Sequence, residues 1–153
     1  MSSTDIPALI DRIEDELYEQ YPPADPAAVE ALAGPFRELF GIELPPAYRE
    51  LLLRSNGLGA DGLIIFATAD GDPDSPDQPL GVIESNRRLT AGTAHVATSL
   101  RFIGERFDQL LAYDTTDGRW KLVDSTAWVV DSDADIVDSF ADLVIPLLTE
   151  ALA

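Results

Sequence analysis

The hydrophobic spacing of this chain changes period part-way along, and that change constrains its fold more than any other feature. Before Asn56-Gly57, apolar residues recur every three or four positions; beyond it they come in short runs of strand length. Ile6, Leu9, Ile10, Ile13 and Leu17 share one helical face, with Asp11, Glu14, Asp15 and Glu19 opposite. Thr4 or Asp5 can cap this helix, Pro7 suits an early position, and Tyr21-Pro22-Pro23 stops it. Asp25-Pro26 opens a second helix through Val29, Leu32, Phe36, Leu39 and Phe40, with a kink or break expected at Gly34-Pro35 and an end at Gly41. A third starts at Pro45 or Pro46 and carries Tyr48, Leu51 and Leu52 to its end at Asn56-Gly57.

In the second half, residues 63–66 suit a buried strand and residues 70–79 form a polar, Pro-rich loop. A short strand over residues 80–83 and a helix over 84–92, starting near Ser85 and Asn86, come next; residues 101–103 are a further strand. Residues 110–113 and 120–123 flank a loop ending in Asp117-Gly118, the pattern of a hairpin. Residues 127–130 supply another strand. Asp133 or Asp135 then caps a final helix bearing Ile136, Phe140, Leu143, Val144, Leu147 and Leu148, kinked at Pro146. This order predicts an α+β fold: N-terminal helices, a mostly antiparallel β-sheet meander with an inserted helix, and a C-terminal helix packed on the sheet.

A chain of 153 residues suits a single domain over 1–153, and at 46% hydrophobic it is too apolar for a disordered acidic tail. It has no Cys, which excludes disulfides, thiolate metal sites and a Cys nucleophile. No apolar run approaches the roughly 20 residues of a membrane span, and the first residues lack a basic, apolar leader, so a cytoplasmic location is expected. Asp and Glu number 28 against 10 Lys and Arg, a net charge of -18. Lys121 is the only Lys, so neither nucleic acid nor an anionic membrane finds the basic stripe it needs. Two readings of the acidity remain open: solubility or salt adaptation, and a basic protein partner. Acidic ends and an acidic middle flank a mildly basic segment holding Arg87, Arg88, Arg101 and Arg106.

Leu44-Pro45-Pro46-Ala47-Tyr48-Arg49-Glu50-Leu51-Leu52, running into Ser55-Asn56-Gly57, resembles the signature of the SUKH superfamily, the Smi/Knr-type domain. Gly62-Leu63-Ile64-Ile65-Phe66 is similar to the strand that follows in that family. Phe102-Ile103-Gly104-Glu105, Leu111-Ala112-Tyr113-Asp114 and Trp120-Lys121-Leu122-Val123 resemble its meander, and the helix over 136–148 its closing helix. The resemblance spans residues 25–150, leaving 1–24 as an N-terminal helix and connector. It implies a fold without known catalysis and without a cofactor. It also implies an immunity protein that binds and neutralises a toxin, often a nuclease, or alternatively an intracellular regulatory or scaffolding module. Leu44, Pro45, Tyr48, Asn56 and Gly57 carry the signature, and their chemistry is structural: prolines preset a helix start, Tyr48 packs inward, and Asn56-Gly57 reverses the chain.

Candidate chemistry is sparse. Gly57-Leu58-Gly59-Ala60-Asp61-Gly62 matches G-x-G-x-x-G, but it follows a helix and enters a strand, the reverse of a dinucleotide fingerprint. Asp70, Asp72, Asp74 and Asp77 suggest a calcium loop, yet Ser75 stands at the required Gly and Gly81 at the closing Glu. No metal site is expected there. These four acids, with Asp114, Asp117, Asp131 and Asp133, are instead the candidate contacts for a basic toxin domain; the plainer readings are solvated loops and helix capping. His95 stands alone, without the further ligands of a metal site or an activated nucleophile. Among so many carboxylates no spacing singles out an acid/base pair, so catalytic residues are not expected. Trp120 and Trp128 fall on predicted strands and suit either a core or a partner surface.

Overall fold

Three helices form first because their apolar residues return to one side. In the computed structural model, which describes residues 5–17, 19–71, 74, 79–90, 99–126, 129–130 and 132–152, α1 (Asp5–Glu16) buries Ile6, Ile10 and Ile13. α2 (Pro26–Phe40) buries Val29, Leu32, Phe36 and Phe40, and α3 (Pro46–Arg54) buries Ala47, Tyr48, Leu51 and Leu52. Leu17 falls beyond α1 and is exposed, so the first apolar stripe is shorter than its spacing predicts. Asp25 caps α2 by accepting from the Ala27 N–H at 2.9 Å. The break expected at Gly34-Pro35 is absent, since α2 runs through both. An interior Pro costs about 3 kcal/mol. Burying four large apolar side chains offsets that, at about 1.5–3 kcal/mol each.

Six strands follow: β1 (Leu58–Ala60), β2 (Leu63–Ile65), β3 (Leu100–Arg106), β4 (Gln109–Asp114), β5 (Arg119–Asp124) and β6 (Ile136–Val137). They lie in chain order and each pairs antiparallel with its neighbour. α4 (Val82–Thr90) is inserted between β2 and β3 and packs on β3. α5 (Phe140–Ala151) closes the chain, packing on β5, α1 and α3. The α+β architecture is the one the spacing predicts.

Several boundaries differ. β1 lies inside the glycine-rich stretch 57–62, ahead of the strand expected at 63–66. Asp61 and Gly62, with φ of 48° and 85°, form a two-residue hairpin turn of the I′ kind. Residues 80–83 are not a strand: Gly81 makes one isolated bridge to Ala67, and α4 already begins at Val82. Val129 and Val130 are outside any strand, while Ala127 and Trp128 lie outside the described residues. The last strand comes later, where β-branched Ile136 and Val137 pair with Lys121 and Trp120. That removes Ile136 from the final helix. Ser139, not Asp133 or Asp135, caps it, accepting from the Asp142 N–H at 3.0 Å. α5 runs through Pro146.

Aromatic rings join the layers. Phe36 and Phe40 of α2 stack with centroids 4.0 Å apart. Trp120 of β5 lies 5.0 Å from Tyr113 and 5.7 Å from Phe140, which in turn sits 5.1 Å from Tyr48. The Tyr48 hydroxyl donates to the Phe66 carbonyl, and burial pushes this phenol far above its ordinary range. Trp120 is therefore a core residue.

The short first strands leave backbone groups unpaired, and two amide side chains fill the gaps. Ala60 pairs with Leu63 at the hairpin end, so Gly59 turns its N–H and C=O to the sheet edge. Gln20 meets both, at 3.0 and 2.9 Å. Its own N–H donates to Glu14, which Arg54 holds from across α3. β2 ends at Ile65, before the first half of β3 finds a neighbour on that side. There Asn86 of α4, itself buried, accepts from the Phe102 N–H at 2.7 Å and donates to the Phe102 and Val82 carbonyls at 2.7 and 2.8 Å. The β-bulge between Phe102 and Gly104 begins at this clamp.

Removing the clamp strands two buried backbone groups, each worth about 1–3 kcal/mol. Asn86→Leu should therefore lower the urea-unfolding free energy by about 3 kcal/mol. Gln20→Ala, which leaves the Gly59 N–H and C=O without their side-chain partner, should cost about 1 kcal/mol in the same urea titration.

Candidate functional site

The acids proposed as contacts occupy three regions, and the structure uses several of them internally. Asp70 stands at the base of the 70–79 loop. Arg88 of α4 grips it with two donors at 2.8 and 3.1 Å, and the Gly81 N–H donates to it at 2.8 Å. Gly71 N–H bonds the Pro79 carbonyl at 2.9 Å, so the loop is pinched at its base. The Arg88 guanidinium holds the Asp70 carboxyl below the usual carboxylate range. Asp74 is exposed on the loop. Asp72 and Asp77 lie outside the described residues.

Asp114 and Asp117 belong to the β4–β5 hairpin. Lys121 reaches both, at 2.9 and 2.7 Å. Asp114 also accepts from the N–H and hydroxyl of Thr116, and Asp117 from the Arg119 N–H. Burial raises the Asp114 pKa. The Thr116 and Lys121 bonds outweigh that and bring it down to about 2. Burial lowers the Lys121 pKa, but its two carboxylates win and raise it. The side chains of Lys121 and Asp114 are each 13% exposed, which makes this pair a latch on the hairpin rather than an open contact. Asp133 begins an exposed 3₁₀ turn, Asp133–Asp135, capped by Ser132. Asp131, like His95 and Trp128, lies outside the described residues.

The signature residues are placed as scaffold. Leu44 and Tyr48 are buried, and Pro45 is the N-cap of α3. Asn56 accepts from the Thr68 N–H at 2.9 Å, and Gly57 has φ of 93°, a backbone turn that a side chain would strain. Ser55 is buried and donates to the Gly57 carbonyl at 2.6 Å.

An open cleft of about 670 Å³ lies between the 19–22 connector and β1–β2, lined by Glu19, Gln20, Tyr21, Pro22 and residues of the hairpin. Among the described residues of that lining Glu19 is the one carboxylate, which gives no acid/base pair. Among the described residues, no group of three or more His, Asp or Glu side chains is placed to hold a metal, and no helix is long and apolar enough to cross a membrane.

The sequence does not name the partners of the cations. Among the described residues, at least eight of the ten cations pair with acids of the same chain. Arg101 donates to the Leu39 and Leu100 carbonyls. Most partners are distant in sequence, such as Arg54 with Asp11 or Arg106 with Glu150, so only folding reveals them. Asn86 and Gln20 were equally hidden. An amide among the apolar residues of a short helix was the one available sign.

The latch has a pH signature. The folded pKa of Asp114 lies below its unfolded value, so its contribution is complete above about pH 4 and is lost as pH falls through about 2. That contribution is about 2 kcal/mol. Asp114→Asn should remove this slope, leaving unfolding free energies of variant and parent converging between pH 4 and pH 2 in urea titrations.

No protein-family model matches the chain, and none of the curated proteins matches it in sequence.

Proposed function

We propose that this chain is a non-catalytic protein-binding domain of the SUKH type: an immunity protein that binds a cognate basic toxin domain, such as a nuclease, and neutralises it. One observation carries the reading. The few cations are drawn into ion pairs with the chain's own acids, while carboxylates such as Asp15, Glu19, Glu38, Asp108 and Asp142 stand on the exposed surface. A net charge of -18 therefore projects outward with little local opposition.

Such a field supports binding in two stages. Long-range attraction speeds encounter with a basic partner and orients it. A smaller contact core, where water is expelled, then sets the dissociation rate. Steric cover of the toxin's active site or substrate groove is sufficient to block it, and the domain needs no cofactor. The intracellular location that such a role requires is part of the same proposal.

Co-expression with a basic toxin domain, where one is encoded beside this chain's gene, should protect the host cell and yield a stable 1:1 complex. Its association rate should fall about tenfold between low and physiological salt, with the dissociation rate nearly constant. Failure of both protection and complex formation rejects immunity. A complex with a housekeeping protein instead would assign the fold to regulation or scaffolding. An association rate insensitive to salt, with stability rising steeply in molar KCl, would assign the acidity to salt adaptation.

A further inference from the structure

The fold does not account for one residue, Phe107. It opens the two-residue turn of the β3–β4 hairpin, which the Arg106–Gln109 pair closes. Its φ is 51°, at a position where a two-residue hairpin ordinarily takes glycine. The left-handed conformation is costly for a bulky side chain, and at 69% exposed Phe107 returns little of that cost by burial. Strain unpaid by packing is a mark of a functional position.

The ring is nevertheless held. It lies over Gly62, where a Cβ would stand 2.3 Å from Phe107 Cε1, so a glycine seat is required. The Phe107 N–H donates to the Gly62 carbonyl at 3.1 Å. The Arg106 guanidinium stands 5.8 Å from the ring centroid and is itself tied to Glu150 of α5. A small notch of about 40 Å³ beside the ring is lined by Leu63, Leu147 and Ala151 among others. Asp61 and Asp108 are exposed on the two adjoining turns.

From this arrangement we infer that the Phe107 end of the sheet is a docking surface for a basic protein. Phe107 inserts into an apolar recess of that partner, and Asp61 and Asp108 receive cationic side chains from the rim of the recess. A rigid exposed aromatic with a polar border has the anatomy of a binding hot spot. Charge selects the occupant: a second copy, also at -18, is repelled, whereas a cationic surface is attracted. The inference rests on the proposed function only in taking the partner to be basic.

The test uses the full chain, isotopically labelled, titrated with acetyl-Arg-Leu-Arg-amide and, as the reversed-charge arm, acetyl-Glu-Leu-Glu-amide. The basic peptide should perturb amides at 61–62 and 106–109 most, and the acidic peptide should not bind. Phe107→Gly, which suits the left-handed backbone, should keep the melting temperature within a few degrees yet weaken the peptide roughly fivefold or more. Phe107→Tyr should retain binding. Perturbations scattered over carboxylates elsewhere, or full affinity in Phe107→Gly, would overturn the proposal. A toxin complex that forms but tolerates Phe107→Gly removes this surface and leaves the proposed function standing. Peptide localised at Phe107 without any toxin complex supports the surface and rejects immunity.

Discussion

A sheet that begins with two strands of three residues each cannot satisfy its own backbone, and much of this structure answers that constraint. Every N–H and C=O taken from water needs a partner. On β1 the outward pair belongs to Gly59, and at the start of β3 it belongs to Phe102. In each case a side-chain amide supplies one donor and one acceptor, as a neighbouring strand would. The two clamps come from elements that also pack the core. Asn86 is fixed by α4, and Gln20 by a connector stitched to α3 through Ala24 and Asn56. Helices and sheet thus determine each other's position by directional bonds as well as by apolar area.

Above those clamps the core is aromatic. Tyr48, Phe36, Phe40, Trp120 and Phe140 come from α2, α3, β5 and α5, and their contacts hold layers that the chain itself connects only at a distance. Ion pairs play another part. Exposed pairs such as Arg37–Glu43 contribute little to stability. Their larger consequence is electrostatic. By engaging Arg and Lys locally, they leave the carboxylate excess to set the field at longer range. The Lys121 latch and the Arg88–Asp70 grip show that acids read as one class in the sequence divide in the fold. Some are internal fasteners, and others remain on the surface.

The helical spacing of Ile6, Ile10 and Ile13, the cap at Asp25 and the Asp117-Gly118 turn were all legible in the chain, because each depends on neighbours within a few residues. Local signals were also what misled. Gly34-Pro35 read as a kink or break, but α2 runs through it, because tertiary burial outweighs a lost hydrogen bond. Ile136 read as helical by spacing, yet it pairs with Lys121 across the sheet. Three residues of strand at Leu58–Ala60 are too few to show any periodicity.

What the sequence determined by itself was therefore the class of the fold, the apolar faces and the sign of the charge. These follow from side-chain chemistry and short-range periodicity. Only the tertiary structure decided which acids are engaged, where Gln20 and Asn86 stand, and that Phe107 projects from a left-handed turn over Gly62. Such facts depend on pairs separated by tens of residues, brought together when burial and backbone pairing are satisfied at once, and no local pattern records them.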